Sequence, residues 1–230
     1  MIIRHLHDWD LSPKHAIALQ QKLATQLVGD SPIDLCRVRS VAGVDVSVKG
    51  GRTCACVVVL TFPDLAHIET ICCQHATTYP YIPGLLAFRE GPALVDAFRQ
   101  LRKEPDVFIF DGMGQMHPRR MGIAAHLGLW LGRPTIGCGK RHFIGKYQQP
   151  GQVKGSTATV TYEGEQVGLV LRTRRHVKPI YVSVGHMADL ASAVQLVLAC
   201  TPKYKLPLPI RMAHRAAAEA CVPGDAGLSA

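Results

Sequence analysis

Along this chain, short apolar runs alternate with stretches of helical periodicity, and glycine or proline separates most of them. Residues 1–10 carry no period and predict a loosely tied leader. Ser12-Pro13 supplies a cap and first turn for a helix reaching about Val28, with Ile17, Leu19, Leu23 and Leu27 as apolar positions. Val38–Val48 reads as a strand. The Gly50-Gly51 turn leads into a second, Thr53–Phe62, and Pro63-Asp64 into a third, His67–His75, so an antiparallel meander is expected. Leu85–Arg102 has helical spacing, and Pro92 after Glu90-Gly91 predicts a first turn there, with Glu90 at or before the helix N-terminus. Val107–Phe110 and Thr135–Cys138 are short, continuous and apolar, as strands buried on both faces are. Met121–Leu131 between them reads as a helix closed by Gly132 and Pro134. Thr157–Tyr162 and Gln166–Arg172 predict a hairpin, Ile180–Val184 a further strand, and Asp189–Cys200 a capped helix. After the extended Leu206–Pro209, Ile210–Ala220 is a last helix carrying His214, and a disordered tail is expected from Val222. The expected organisation is one domain over residues 1–222.

Composition narrows the class. The 26 Lys and Arg against 17 Asp and Glu leave +9 at pH 7, an excess that favours a polyanionic partner, nucleic acid first. No apolar run approaches the ~18–20 residues of a membrane span, and the N-terminus lacks the apolar core of an export signal. A cytoplasmic protein is therefore expected. The eight cysteines include no C-x-x-C to start a zinc site, so most are expected to be buried reduced thiols.

Candidate chemistry gathers at strand ends. Asp111 follows Val107–Phe110 where ligands bind in open α/β sheets, and His117, Arg119 and Arg120 lie within one loop of it, a mixture suited to phosphate chemistry. Asp45 sits mid-strand, where an unpaired carboxylate is costly unless it lies on the solvent face of an edge strand. Lys140 follows a neighbouring strand, either facing the same crevice or simply solvated. Thr77–Gly84 is stiffened by Pro80 and Pro83, which present Tyr81 and Ile82 either as a wedge for a base stack or as core packing. Glu90 has a bland alternative as a helix-capping acid. A three-stranded meander followed by helix, strand, helix, strand, with acids in the first and fourth strands, is the arrangement of a ribonuclease-H-like α/β fold, a mixed central sheet flanked by helices. There two aspartates repel one another and call for a metal ion.

The residues go beyond pattern. Val41-Ala-Gly-Val-Asp45-Val, Thr77–Gly84 with Phe88-Arg-Glu90, Asp111-Gly with His117-Pro-Arg-Arg-Met-Gly122, and Ile136-Gly-Cys-Gly-Lys140 together resemble the endonuclease V family of deoxyinosine-specific endonucleases. The likeness is strong from about Val41 to Lys146 and weaker through Ser183–His186 and Tyr204–Pro209. It implies a Mg²⁺-dependent hydrolase, with Mn²⁺ able to substitute, acting on DNA that contains deoxyinosine. Such an enzyme cuts the second phosphodiester bond 3′ to the lesion and leaves 3′-hydroxyl and 5′-phosphate ends. By position Asp45, Glu90 and Asp111 match the metal-binding carboxylates, and His214 matches a late acid-or-histidine position. Tyr81, with Ile82 and Pro83, matches the wedge. Gly84, Leu85 and Gly112 fall where a base pocket is built largely from backbone, and His117 and Lys140 match residues near the scissile strand. Met113 and His214 depart from the polar residue and the Asp expected at their positions.

Rival classes stay open on sequence. One is a damage-binding module that does not cleave, and another a nuclease acting on inosine in RNA. A nucleotide-binding enzyme is disfavoured, since neither G-x-x-x-x-G-K-[ST] nor G-x-G-x-x-G occurs. No obligate protein partner is evident, and a monomer is expected.

Overall fold

A computed structural model describes residues 1–221, so the tail expected from Val222 lies outside the described residues. One eight-stranded mixed sheet runs through the molecule in the order β3-β2-β1-β4-β5-β8-β7-β6. The meander is β1 (Ser40–Lys49), β2 (Arg52–Thr61) and β3 (His67–Ala76), paired antiparallel as the two-glycine turn predicts. β4 (Val107–Phe110) and β5 (Thr135–Gly139) continue parallel to β1, and β8 (Ile180–His186) closes back antiparallel on β5. β6 (Thr157–Tyr162) and β7 (Glu165–Leu171) form the far hairpin. This is the mixed sheet flanked by helices that the α/β, ribonuclease-H-like expectation requires.

Alternation along β1 sorts the two faces. Ala42 and Val44 pack with Phe108, Phe110 and the helices α2 (Leu86–Arg99) and α3 (Ile123–Leu131). Val41 packs instead with Ile109 and Ile136 beneath α4 (Leu190–Ala199) and α5 (Leu208–Ala220). A side chain at Gly43 would place its Cβ 2.1 Å from the Pro209 backbone, so glycine there lets α5 lie directly on β1. No helix of the described residues is long and apolar enough to cross a membrane.

Several expectations are corrected. The first helix, α1 (Pro13–Ala24), stops a turn short of Val28. The leader is not loose. Met1, Ile3, Leu6 and Trp9 pack against the α2–α3 face, Trp9 stacks on Trp130 at 4.7 Å, and the Arg4 amide donates to the Trp130 carbonyl at 2.9 Å. Stacking of the partly buried Trp9 on the buried Trp130 holds a segment that has no periodicity of its own. α2 starts at Leu86, because Ala87 and Phe88 are buried, and so Pro92 lies inside the helix and Glu90 in its second turn, away from any capping position. Four cysteines are paired rather than reduced: the β2–β3 register sets Cys56 opposite Cys72, and Cys54 bonds Cys221 just past α5. Cys73, Cys138 and Cys200 are buried free thiols, and Cys36 is exposed.

Candidate metal and base-binding site

The parallel pairing of β1 with β4 sets Val44 beside Phe110, and the Asp111 amide extends the ladder to the Val44 carbonyl at 2.9 Å. Asp45 and Asp111, the next residue on each strand, are therefore neighbours. α5 brings His214 over them, its Nδ1 2.6 Å from Asp45 Oδ2, and Lys140 at the end of β5 forms an ion pair with Asp111. Ligand atoms of Asp45, Asp111 and His214 all lie within 4.8 Å of one another. Asp45 is only 9% exposed, and its pKa is raised by burial first and then by Asp111. The partly buried Glu90 stands close by: burial, then Asp45, push its carboxyl up to about 8, with Asp111 adding to the rise. Asp45 and Glu90, both with raised pKa, and Asp111 beside them fit a divalent cation held by hard oxygen donors with an imidazole at the rim. Glu90 adjoins the three-residue cluster without contributing a ligand atom to it.

Next to these acids opens a cavity of about 490 Å³. Tyr81–Gly84, Leu86, Ala87, Gly112, Met113, His117, Ile123 and Lys140 are among its lining residues. Tyr81 is 68% exposed with the Arg89 guanidinium 5.8 Å from its ring, so the rigid loop presents the phenol outward instead of packing it on the core. Leu85, expected at the pocket, is buried with Tyr79 and Phe88, and its neighbours Leu86 and Ala87 line the cavity instead. Met113 fills space that Gly139 leaves vacant; a Cβ on Gly139 would lie 2.4 Å from the Met113 methyl.

The floor of the cavity rests on one carbonyl. Gly84 adopts φ +82°, a conformation that favours glycine, and its oxygen accepts from His117 Nε2 at 3.0 Å, Arg119 Nη2 at 2.9 Å and Gln20 Nε2 at 3.0 Å. Gln20 also accepts from Arg119 Nε at 2.7 Å and donates to the Met121 carbonyl. The backbone amides of Arg119 and Met121 donate to His117 Nδ1, which leaves the proton on Nε2 and the imidazole neutral. Burial, then the Arg119 charge, lower its pKa to about 4. His117 lines the cavity, but the two guanidiniums expected beside Asp111 are engaged elsewhere: Arg119 is spent on Gly84 and Gln20, and Arg120 pairs with Glu165 at 2.8 Å over the Tyr162 ring. Their side chains serve the loop, and the positive charge set against the acids is Lys140, paired with Asp111. Gln20 gave no sequence signal beyond being a polar residue among the apolar positions of α1.

Comparison with known proteins agrees with this geometry. The family model described as Endonuclease V matches residues 21–215. The chain belongs to the endonuclease V family. Endonuclease V of Nostoc punctiforme is 45% identical over 213 residues, covering 92% of this chain and 96% of the relative. The Bacillus subtilis endonuclease V crystal structure superposes with a TM-score of 0.90 at 31% identity, covering 95% of this chain and 96% of that one. Endonuclease V of Ciona intestinalis, crystallised with a 24mer DNA containing an inosine followed by a ribo-adenosine, gives a TM-score of 0.78 at 26% identity over 90% of this chain and 95% of that one.

Proposed function

We propose that this endonuclease V recognises hypoxanthine, the base of deoxyinosine, in DNA and hydrolyses the second phosphodiester bond on its 3′ side, leaving 3′-hydroxyl and 5′-phosphate ends in the service of DNA repair. The observation that carries the proposal is the placement of the Asp45–Asp111–His214 cluster beside a cavity with an exposed aromatic at its rim. Asp45 and Asp111 hold Mg²⁺, with Mn²⁺ as a substitute, Glu90 completes the acidic set, and His214 orients at its edge. The bound cation supplies charge neutralisation at the phosphoryl oxygen and a lowered pKa for the attacking water. Lys140, paired with Asp111, lies where it stabilises developing negative charge on the scissile phosphate.

Recognition rests on the loop. Tyr81, backed by Pro80 and Pro83, fills the gap left by the everted base, and unstacking costs least for a poorly paired base such as hypoxanthine. Guanine differs by an exocyclic amine that needs an acceptor. The Gly84 carbonyl at the pocket already accepts three hydrogen bonds, so the amine would be buried unpaired there. The Ciona relative's bound strand, with a ribonucleotide after the inosine, supports testing inosine RNA as a second substrate.

Purified protein with Mg²⁺ is expected to nick a single-inosine duplex at one position and to leave plain duplex intact. Asp45→Ala and Asp111→Ala abolish nicking while inosine-dependent binding survives in a gel-shift assay; an unchanged rate in either variant refutes the metal assignment. Tyr81→Ala narrows the preference for inosine over undamaged DNA, and an unaltered preference removes the wedge role.

A further inference from the structure

Beyond the cavity and the acids lies a further charged surface. At the same edge of the sheet, the register places Gly139 of β5 beside Tyr181 of β8, and Ile180 beside Leu171 of β7. Lys178 enters β8 there, and Thr173, just past β7, donates from its hydroxyl to the Lys205 carbonyl at 2.6 Å. The Lys178 loop is anchored by the buried Arg172, which donates to the carbonyls of Pro150, Gly151 and Val177. Lys205 leads into α5. Before it, the 45%-exposed Tyr204 lies under the Arg211 guanidinium at 3.6 Å, with the Lys203 ammonium 5.7 Å from the same ring. Arg211 and His214 are three residues apart on α5 and so share a side of the helix. Among the described residues none of Lys178, Lys203, Lys205 and Arg211 forms an ion pair, although surface arginines elsewhere do. Lys178 and Lys140 are close enough to Lys205 to add to the lowering of its pKa that burial begins. Converging cations without counter-ions are unfavourable in the free protein, and a polyanion relieves them.

Their position gives the polyanion a direction. The base cavity opens on the α2–α3 side of the sheet edge, whereas Leu206 and Leu208, flanking this patch, pack on the α4–α5 side. The acids stand between the two. We infer that Lys178, Lys205, Arg211 and Tyr204 form a subsite for the sugar–phosphate backbone of the nicked strand beyond the scissile bond, its 3′ flank. The inference rests on the proposed cleavage 3′ to the base. A strand with its base in the cavity and a downstream phosphate at Asp45 and Asp111 must leave across α5.

The test measures binding in chelator and nicking in Mg²⁺, with single-inosine duplexes that carry either a full 3′ flank or one ending two nucleotides past the cut, and a third shortened by the same length on the 5′ side. The variants are Lys178→Ala/Lys205→Ala and Lys205→Arg. On full-flank and 5′-shortened DNA the double variant is expected to bind on the order of ten-fold more weakly, with a salt slope reduced by about two, while Lys205→Arg binds as wild type does. On 3′-shortened DNA the gap between double variant and wild type closes. An equal loss on all three duplexes, or a gap that closes only on 5′-shortened DNA, overturns the subsite. Wild-type protein that leaves every inosine duplex uncut overturns the nuclease reading instead, and the chelator binding series still decides the patch.

Discussion

Gln20 shows what a single buried polar residue does here. Fully buried, it makes three hydrogen bonds that tie α1 to Gly84, Arg119 and Met121. Gln20→Leu keeps the shape and strands the Arg119 Nε–H, a loss of about 1–3 kcal/mol for a buried donor left unmade. Urea unfolding is expected to show that loss. Nicking assays on inosine and guanine duplexes are expected to show a narrower ratio, because the Gly84 carbonyl loses one of its three donors and is less tightly held at the pocket. An unchanged ratio would mean that Gly84 takes no part in rejecting guanine. The acids at Asp45 and Asp111 were legible in sequence because a carboxylate in an apolar strand has few structural uses. Gln20 was not, since nothing in α1 announces a partner 64 residues away.

At the scale of elements, the close seat of α5 on β1 decides whether His214 reaches Asp45. Gly43 makes that seat possible, and its neighbour is Pro209 backbone, which cannot rotate aside. Gly43→Ala therefore lifts α5, with an expected destabilisation of about 1–3 kcal/mol for overpacking. Thermal unfolding measures that cost, and circular dichroism should show helix content retained. Nicking should fall by at least as much as it does in His214→Ala; full activity with lowered stability would show that α5 tolerates displacement. Strand existence followed from apolar runs and turn glycines. The apolar spacing from Leu85 also placed the start of α2 to within a residue, but Pro92 mimics an N-terminal proline, and only the burial of Ala87 and Phe88 settles that it lies inside the helix.

For the whole molecule, buried histidines set the acid limit. His7 Nε2 receives hydrogen bonds from Trp130 Nε1 at 3.2 Å and from His126 Nε2 at 2.7 Å, which fixes the His7 imidazole as neutral. Burial lowers the pKa of His7, His117 and His126, that of His117 to about 4. Below the ordinary 6.5 the unfolded chain then binds more protons than the folded one, so stability is full above pH 6.5 and falls as pH drops toward 4. Glu90 has the opposite sign: its share is present below the ordinary 4.5 and lost as pH rises through about 8. In Glu90→Gln protein, melting temperatures are expected to hold above pH 7 and to fall below 6.5, at ~1.4 kcal/mol per pH unit for each proton taken up. A flat profile down to pH 4.5 would show that the leader opens and hydrates these rings without loss of the fold.

Local rules were enough for the sequence to set the order of strands and helices, the acids in and just past the apolar strands and the proline-stiffened Tyr81 loop, since each depends on residues a few positions apart. Which groups meet was left to tertiary packing. Sheet register made Asp45 and Asp111 neighbours, α5 added His214, Gly84 and Gln20 drew in His117 and Arg119, Glu165 took Arg120, and packing fastened the leader over Trp130. Contacts between residues far apart along the chain depend on complementary shape and on finding partners for buried polar groups, and neither leaves a period in the sequence.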